Sequence, residues 1–234
     1  MSSPTKVLKS VGPKLVPFFK SVSVYFVLLA EQSSLLTACI KCLPIISLIF
    51  FVLLHGISLS KEYTFSRRIL TGLVFSCIGD ALLVWPNLFT AGMAMFSVAQ
   101  IMYIIAFGFS PLNPPVGATL YAGSALVIYI LMPGLSGFLS IGVPLYIVLL
   151  ATMAWRAISR VQFFEELWTW NKLCSCVGSI FFLISDTLLG FNYFHSPIPY
   201  AQISIMLTYY AAQLGIALSA VESKDNNKSI EVKR

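Results

Sequence analysis

Two aspartates stand inside apolar stretches of the sequence. Asp80 lies in VFSCIGDALLVW (74–85), and Asp186 lies 106 residues later in SIFFLISDTLLGF (179–191). A charge at the centre of a bilayer costs roughly 2.5–3.5 kcal/mol on insertion scales, so intramembrane acids generally mark functional sites. If both acids share a cavity of low dielectric constant, one keeps its proton near neutral pH, and the pair supplies a general acid and a general base. That pair suits a water addition driven by protonation, without a metal or a covalent nucleophile.

The elements that position these acids follow from composition. The chain has 234 residues, of which 58% are hydrophobic and 10% are charged; so few charges cannot cover a soluble domain of this length. Apolar runs near 20 residues span a bilayer as helices. We therefore predict an all-α, polytopic transmembrane bundle, a single domain over 1–234 with short tails at 1–15 and 222–234. Eight spans are predicted, at about 16–31, 36–58, 69–86, 91–109, 116–133, 138–155, 173–194 and 200–221.

Basic residues predict the orientation of these spans. If the N-terminus is cytoplasmic, fourteen of the fifteen basic residues fall on the cytoplasmic side and Lys41 alone falls on the other. This distribution follows the positive-inside rule, so we expect both termini in the cytoplasm. The net charge of +6 then reflects topology and contact with anionic lipid headgroups, and no nucleic-acid partner is expected.

The two acidic stretches also align with each other without gaps. At the offset of 106 residues, similar residues coincide, pairing Phe75 with Phe181, Ile78 with Ile184, Asp80 with Asp186, Trp85 with Phe191 and Tyr103 with Tyr209. The third span then corresponds to the seventh and the fourth to the eighth. Because each half has four spans, the halves share one orientation, related by an axis along the membrane normal. This candidate pair of four-helix repeats predicts both acids at one depth, roughly 8–12 Å below the non-cytoplasmic surface.

Further polar residues are candidates for lining the same cavity. Lys41, at similar depth, is one of these candidates. The other candidate substrate-binding residues lie on neighbouring spans and are Gln100, Tyr103, Asn192, Tyr209 and Gln213. Taken singly, such residues more often make helix–helix contacts, and a lysine at this depth can extend to the headgroups.

Metal and cofactor sites have little support in the sequence. His55 and His195 are the two histidines, and no spacing groups them. Cys39-x-x-Cys42 has the spacing of a zinc or redox pair, but no second pair follows it, and small residues three apart in an apolar helix usually serve packing. We therefore expect no cofactor and no metal.

Several segments resemble the lysoplasmalogenase (YhhN-like) family of membrane proteins, over about residues 11–223. The matching segments are Lys41-Cys42-Leu43-Pro44, Gly72–Ser76 leading to Gly79-Asp80, Ala106-Phe107-Gly108, Ser185-Asp186 and Tyr209–Gln213. The resemblance implies eight spans, an endoplasmic reticulum membrane, and hydrolysis of the vinyl ether bond of a lysophospholipid, the lysoplasmalogen. The products would be a fatty aldehyde and glycerophospho-ethanolamine or -choline. With such a substrate, Lys41 is our candidate for binding the lipid phosphate. The chain departs from vertebrate members at Gln100, where histidine is usual; Gln can substitute if that position only donates a hydrogen bond.

Two other function classes stay open at this stage. Gly79-Asp80 within a span is similar to the Gly-x-Gly-Asp motif of intramembrane aspartyl proteases, although Cys77 replaces the first glycine. A proton-coupled transporter would use the acids as a proton relay, and it predicts broken helices beside them. The oligomeric state does not follow from the sequence.

Overall fold

The computed structural model describes residues 4–29, 33–55, 60–161 and 169–221. The predicted C-terminal tail at 222–234 and parts of the first and second predicted spans lie outside the described residues. Eight α-helices are found in the described part: α1 (Pro4–Leu28), α2 (Leu35–Leu54), α3 (Thr64–Leu82), α4 (Phe89–Phe107), α5 (Pro114–Leu131), α6 (Leu139–Ser159), α7 (Trp170–Phe194) and α8 (Ala201–Leu218). The all-α prediction is confirmed.

Six helical segments are long and apolar enough to cross a membrane, and they correspond to α2 and to α4 through α8. The chain is therefore a multi-pass membrane protein. Two of the eight predicted spans, α1 and α3, are not among the six. For α3 the composition accounts for this, because that helix contains Arg67, Arg68 and Asp80.

The helix ends follow local chemistry. Ser34 caps α2, since its hydroxyl accepts a hydrogen bond from the Thr37 N–H at 3.1 Å. Gly108 ends α4 with a positive φ of 70°, which a glycine adopts without strain. Pro114 begins α5, where its missing N–H costs no helical hydrogen bond.

The helices pack in an order that repeats after four. α3 packs against α4 as α7 packs against α8; α2 contacts α3 as α6 contacts α7; α1 contacts α2 as α5 contacts α6. The halves meet where α4 packs on α6 and α8 packs on α2. The core between them is apolar and includes Ile45, Leu48, Leu73, Met153 and Ala212.

Glycines let the paired helices approach closely. A Cβ added at Gly178 of α7 would lie 2.8 Å from the Ala212 carbonyl oxygen and 2.9 Å from the Ile216 nitrogen of α8. Such small residues are common where membrane helices meet, since they let backbones touch. The outer surface carries exposed large apolar side chains, as a lipid-facing surface requires, and examples are Phe50, Leu126, Tyr129, Leu145 and Leu207.

Candidate active site

A cavity of about 540 Å³ opens among the helices and contains both aspartates in its wall. Asp80 reaches it from α3 and Asp186 from α7, the equivalent helix in the second half of the packing order. The structure thus brings the two predicted catalytic residues to one space. Lys41, Asn192 and Tyr209 line the same cavity.

Asp80 is buried, with 2% of its side chain exposed, and it has a charged partner. The Lys41 ammonium lies 3.6 Å from its Oδ1 and is itself 15% exposed. The Tyr209 hydroxyl donates a hydrogen bond of 2.5 Å to its Oδ2. A neighbouring cation and a hydrogen-bond donor both favour the ionised carboxylate.

Behind Tyr209, a row of hydrogen bonds leads away from the cavity. The Gln213 amide nitrogen donates to the Tyr209 hydroxyl at 3.2 Å, and the Tyr103 hydroxyl donates to the Gln213 amide oxygen at 3.1 Å. The Ser76 hydroxyl lies 3.5 Å from that of Tyr103. The Gln213 amide therefore fixes the direction in which the Tyr209 hydroxyl points, and that hydroxyl holds Asp80.

Asp186 has a different environment. Its Oδ2 accepts a hydrogen bond from the Tyr146 hydroxyl of α6. Within the described ranges, no lysine or arginine forms an ion pair with Asp186. The two acids thus differ in the charge of the partner that each receives: a lysine from α2 for Asp80, and a phenol from α6 for Asp186.

Three of the residues predicted to line the cavity do not reach its surface. Gln100, Tyr103 and Gln213 are fully buried between helices and are absent from the cavity wall. Tyr103 and Gln213 belong instead to the hydrogen-bonded row behind Asp80. The Gln100 amide lies near the Tyr146 hydroxyl and makes no direct hydrogen bond to the part of the chain that the structure describes.

The cavity has one polar end, at the connection between α7 and α8. Its polar residues are Tyr25, Thr37, Lys41, Asn192 and Gln202. Asn192, predicted to bind substrate, also accepts a hydrogen bond from the Ile198 N–H at 2.9 Å, so it holds the connecting loop as well. The Gln202 amide donates to the Tyr25 hydroxyl at 3.2 Å.

The opposite end of the cavity is mainly apolar. It lies between α5, α6 and α7 and is lined by Leu120, Val127, Ile147, Leu150 and Leu183, with Thr119 and Ser124 beside them. A molecule with a polar head and an apolar chain matches this division, because each part would meet surface of its own kind. Both aspartates line the cavity, and Asp80 lies beside Lys41 of the polar end.

Sequence reasoning missed Tyr146, Tyr25 and Gln202. Each lies within or beside an apolar span, and a tyrosine there resembles the other tyrosines of the chain, which has ten. Gln202 opens the last span and carried the clearest signal, since a polar amide at a helix start in lipid needs a partner. Among the described residues, no group of three or more His, Cys, Asp or Glu side chains is arranged to hold a metal ion.

Comparison with known proteins adds an independent line of support. Residues 36–220 match the YhhN family. The lysoplasmalogenases TMEM86A of Bos taurus and of Homo sapiens are each 44% identical to this chain over 229 residues, which cover 96% of the chain and 95% of each relative. The human lysoplasmalogenase TMEM86B is 37% identical over 212 residues, covering 89% of the chain and 87% of that relative. No solved structure matches the chain. The chain is a member of the YhhN family.

Proposed function

We propose that this protein is a membrane lysoplasmalogenase, an enzyme that hydrolyses the vinyl ether bond of lysoplasmalogens. The products are a fatty aldehyde and glycerophospho-ethanolamine or -choline. One observation carries the proposal: Asp80 and Asp186 line a single cavity that is polar at one end and mainly apolar at the other. The names of the relatives, lysoplasmalogenases at 37–44% identity, support the same substrate class.

The division of the cavity orients the substrate. The glycerophospho head group occupies the polar end near Asn192 and Gln202, and the alkenyl chain occupies the apolar end. The vinyl ether joins these two parts of the lipid, so it comes to rest between the aspartates. Holding the reacting bond beside both acids supplies proximity and orientation.

The unequal partners of the two acids assign their roles. Asp80, beside Lys41 and Tyr209, is the carboxylate and acts as general base. Asp186, bonded by the neutral Tyr146 phenol, keeps the proton and acts as general acid. Two carboxyl groups in one cavity cannot both ionise cheaply, so the proton rests on the acid that lacks a cation.

The reaction then proceeds by proton transfer and water addition. Asp186 gives its proton to the β-carbon of the vinyl ether; the π electrons form the new C–H bond and an oxocarbenium ion develops at the α-carbon. Water adds to that carbon while Asp80 takes the proton that water loses, and the Asp80 charge stabilises the cation. The hemiacetal collapses as its hydroxyl proton returns to Asp186 and Asp80 protonates the departing glycerol oxygen. One water is consumed and both acids regain their starting states.

Lys41 is a charge partner of Asp80 in this mechanism. The sequence made it a candidate for the lipid phosphate, but its ammonium lies 3.6 Å from a buried carboxylate. A buried charge needs a partner, so we infer that Lys41 keeps Asp80 ionised. The phosphate then lies among the neutral polar groups at the cavity's polar end.

The competing function classes receive less support. A proton-coupled transporter would break its helices beside the acids, whereas α7 runs as a continuous helix through Asp186 and α3 is continuous as far as Leu82, two residues beyond Asp80. A protease of this kind would need the first glycine of its motif, and Cys77 stands at that position.

Two further features accompany the proposal. We infer that α1 and α3 also cross the membrane, giving eight spans with both termini in the cytoplasm of an endoplasmic reticulum membrane protein. We also infer an internal repeat of four helices. The distribution of basic residues supports the topology. The helix contacts that recur after four helices support the repeat.

The test of the proposed function compares two lipids that differ in one bond. Purified protein in detergent micelles is given a lysoplasmalogen or its saturated alkyl ether analogue, and free aldehyde is measured over time. We expect aldehyde from the vinyl ether alone, because a saturated ether has no π electrons to take the proton. Absence of aldehyde from both lipids would refute the proposed function.

A further inference from the structure

The apolar end of the cavity has an open position on α5. The Tyr121 hydroxyl lies 2.8 Å from the Thr152 hydroxyl, which sets the register between the antiparallel helices α5 and α6. Counting from this pair, Val127 lies level with Tyr146 and Gly123 lies level with Leu150. Leu150 is four residues beyond Tyr146, so Gly123 lies about 6 Å deeper than the residue that bonds Asp186.

Gly123 is in the cavity wall, and a Cβ added to it would meet no atom within 4 Å. Its cavity neighbours on α5 are Thr119, Leu120, Ser124 and Val127, all within one helical turn of it. Position 123 therefore lies in the cavity wall and has room for a larger side chain.

We propose that Gly123 determines how far the alkenyl chain can extend beyond the aspartates, and therefore which chain lengths the enzyme accepts. This inference rests on the proposed function. Its chemistry is steric: a side chain at position 123 fills the space that carbons distal to the vinyl ether would occupy. A short chain ends before that level and is unaffected.

The test uses Gly123→Leu and two lysoplasmalogens with the same head group, one with a decenyl and one with an octadecenyl chain. Both are presented in mixed micelles at one mole fraction. We expect the ratio of kcat/KM for the long chain to that for the short chain to fall about 10-fold or more, since rejection of even one carbon from an apolar pocket is worth that much. Gly123→Ala, which needs no rearrangement, should lower the ratio by a smaller amount.

Ala122→Leu is the matched control, because Ala122 neighbours Gly123 on α5 but is exposed outside the cavity wall. It should leave the ratio at the wild-type value. If Gly123→Leu and wild type have equal ratios while both release aldehyde, or if Ala122→Leu lowers the ratio as much, the inference is overturned and the proposed function stands. If the wild type releases no aldehyde from either lysoplasmalogen, both the inference about Gly123 and the proposed function are refuted.

Discussion

At the scale of single residues, the site depends on how two identical side chains come to differ. Asp80 has a lysine and a tyrosine as partners, whereas Asp186 has a tyrosine alone among the described residues. The aspartates themselves were predictable, because a charge in an apolar run is rare and costly. Tyr146 was not predictable, because nothing in the sequence distinguishes it from tyrosines that face lipid.

Replacement of Lys41 tests the assignment of Asp80 as base. The base works as a carboxylate, so activity falls when low pH protonates it, and the Lys41 ammonium opposes that protonation. In Lys41→Met the acid limb of the kcat/KM profile should therefore move to higher pH, whereas Lys41→Arg, which keeps the cation, should stay close to wild type. An unchanged acid limb with a raised KM would instead indicate that Lys41 binds the lipid phosphate.

Removal of the Tyr103 hydroxyl tests the row of hydrogen bonds behind Asp80. Tyr103→Phe leaves Gln213 without one partner, so Tyr209 is held less firmly. A hydrogen bond contributes about 0.5–1.5 kcal/mol, so we expect kcat to fall about 2- to 10-fold with KM unchanged. Tyr121→Phe is the control, because that hydroxyl bonds Thr152 on the exposed side of α5; it should keep the wild-type kcat. Equal losses in the two variants would contradict a positioning role for Tyr103.

At the scale of elements, the helices follow the apolar runs, and several of them begin earlier along the chain than the predicted spans do. The first predicted span, 16–31, corresponds to a helix that begins at Pro4, and the third, 69–86, to one that begins at Thr64 and ends at Leu82. Hydropathy locates the part of a helix that lies in lipid, whereas backbone hydrogen bonds continue into polar flanks such as Arg67 and Arg68. The close contact of α7 with α8 could not be derived from hydropathy, because it depends on which face carries Gly178.

Alanine at Gly178 tests that contact. The added methyl group would press on the α8 backbone at Ala212 and Ile216, and overpacking of this kind costs about 1–3 kcal/mol. Gly123→Ala gains the same helix propensity and meets no atom, so it is the reference. We expect Gly178→Ala to unfold at a lower temperature in detergent than Gly123→Ala. Equal unfolding temperatures would contradict the close packing.

At the scale of the whole molecule, the two halves supply partners to the acids from corresponding helices. α2 provides Lys41 to Asp80, and α6 provides Tyr146 to Asp186. The repeat we infer thus places two acids in equivalent positions, and the difference between their partners gives them separate roles. The offset of 106 residues predicts the equivalent positions of the two acids from sequence. The difference between their partners is visible only in the side-chain contacts.

Accessibility labelling tests the topology. Because the eight spans that we infer are even in number, a tag at the N-terminus and a tag at the C-terminus should both be reached from the cytoplasm in cells with a permeable plasma membrane and intact internal membranes. The reason is the excess of lysine and arginine on that side. A tag that reacts only after the internal membranes are opened would contradict this orientation.

The central claim is that Asp80 and Asp186 act as one unit. Its most direct test measures aldehyde release from lysoplasmalogen by folded Asp80→Asn, Asp186→Asn and the double variant. Each single change should lower kcat roughly 10²–10⁴-fold, the usual contribution of a positioned acid or base. The double variant should lose little more, since residues that act together are not additive. Near wild-type release by either single variant, or losses that multiply in the double variant, would contradict the account.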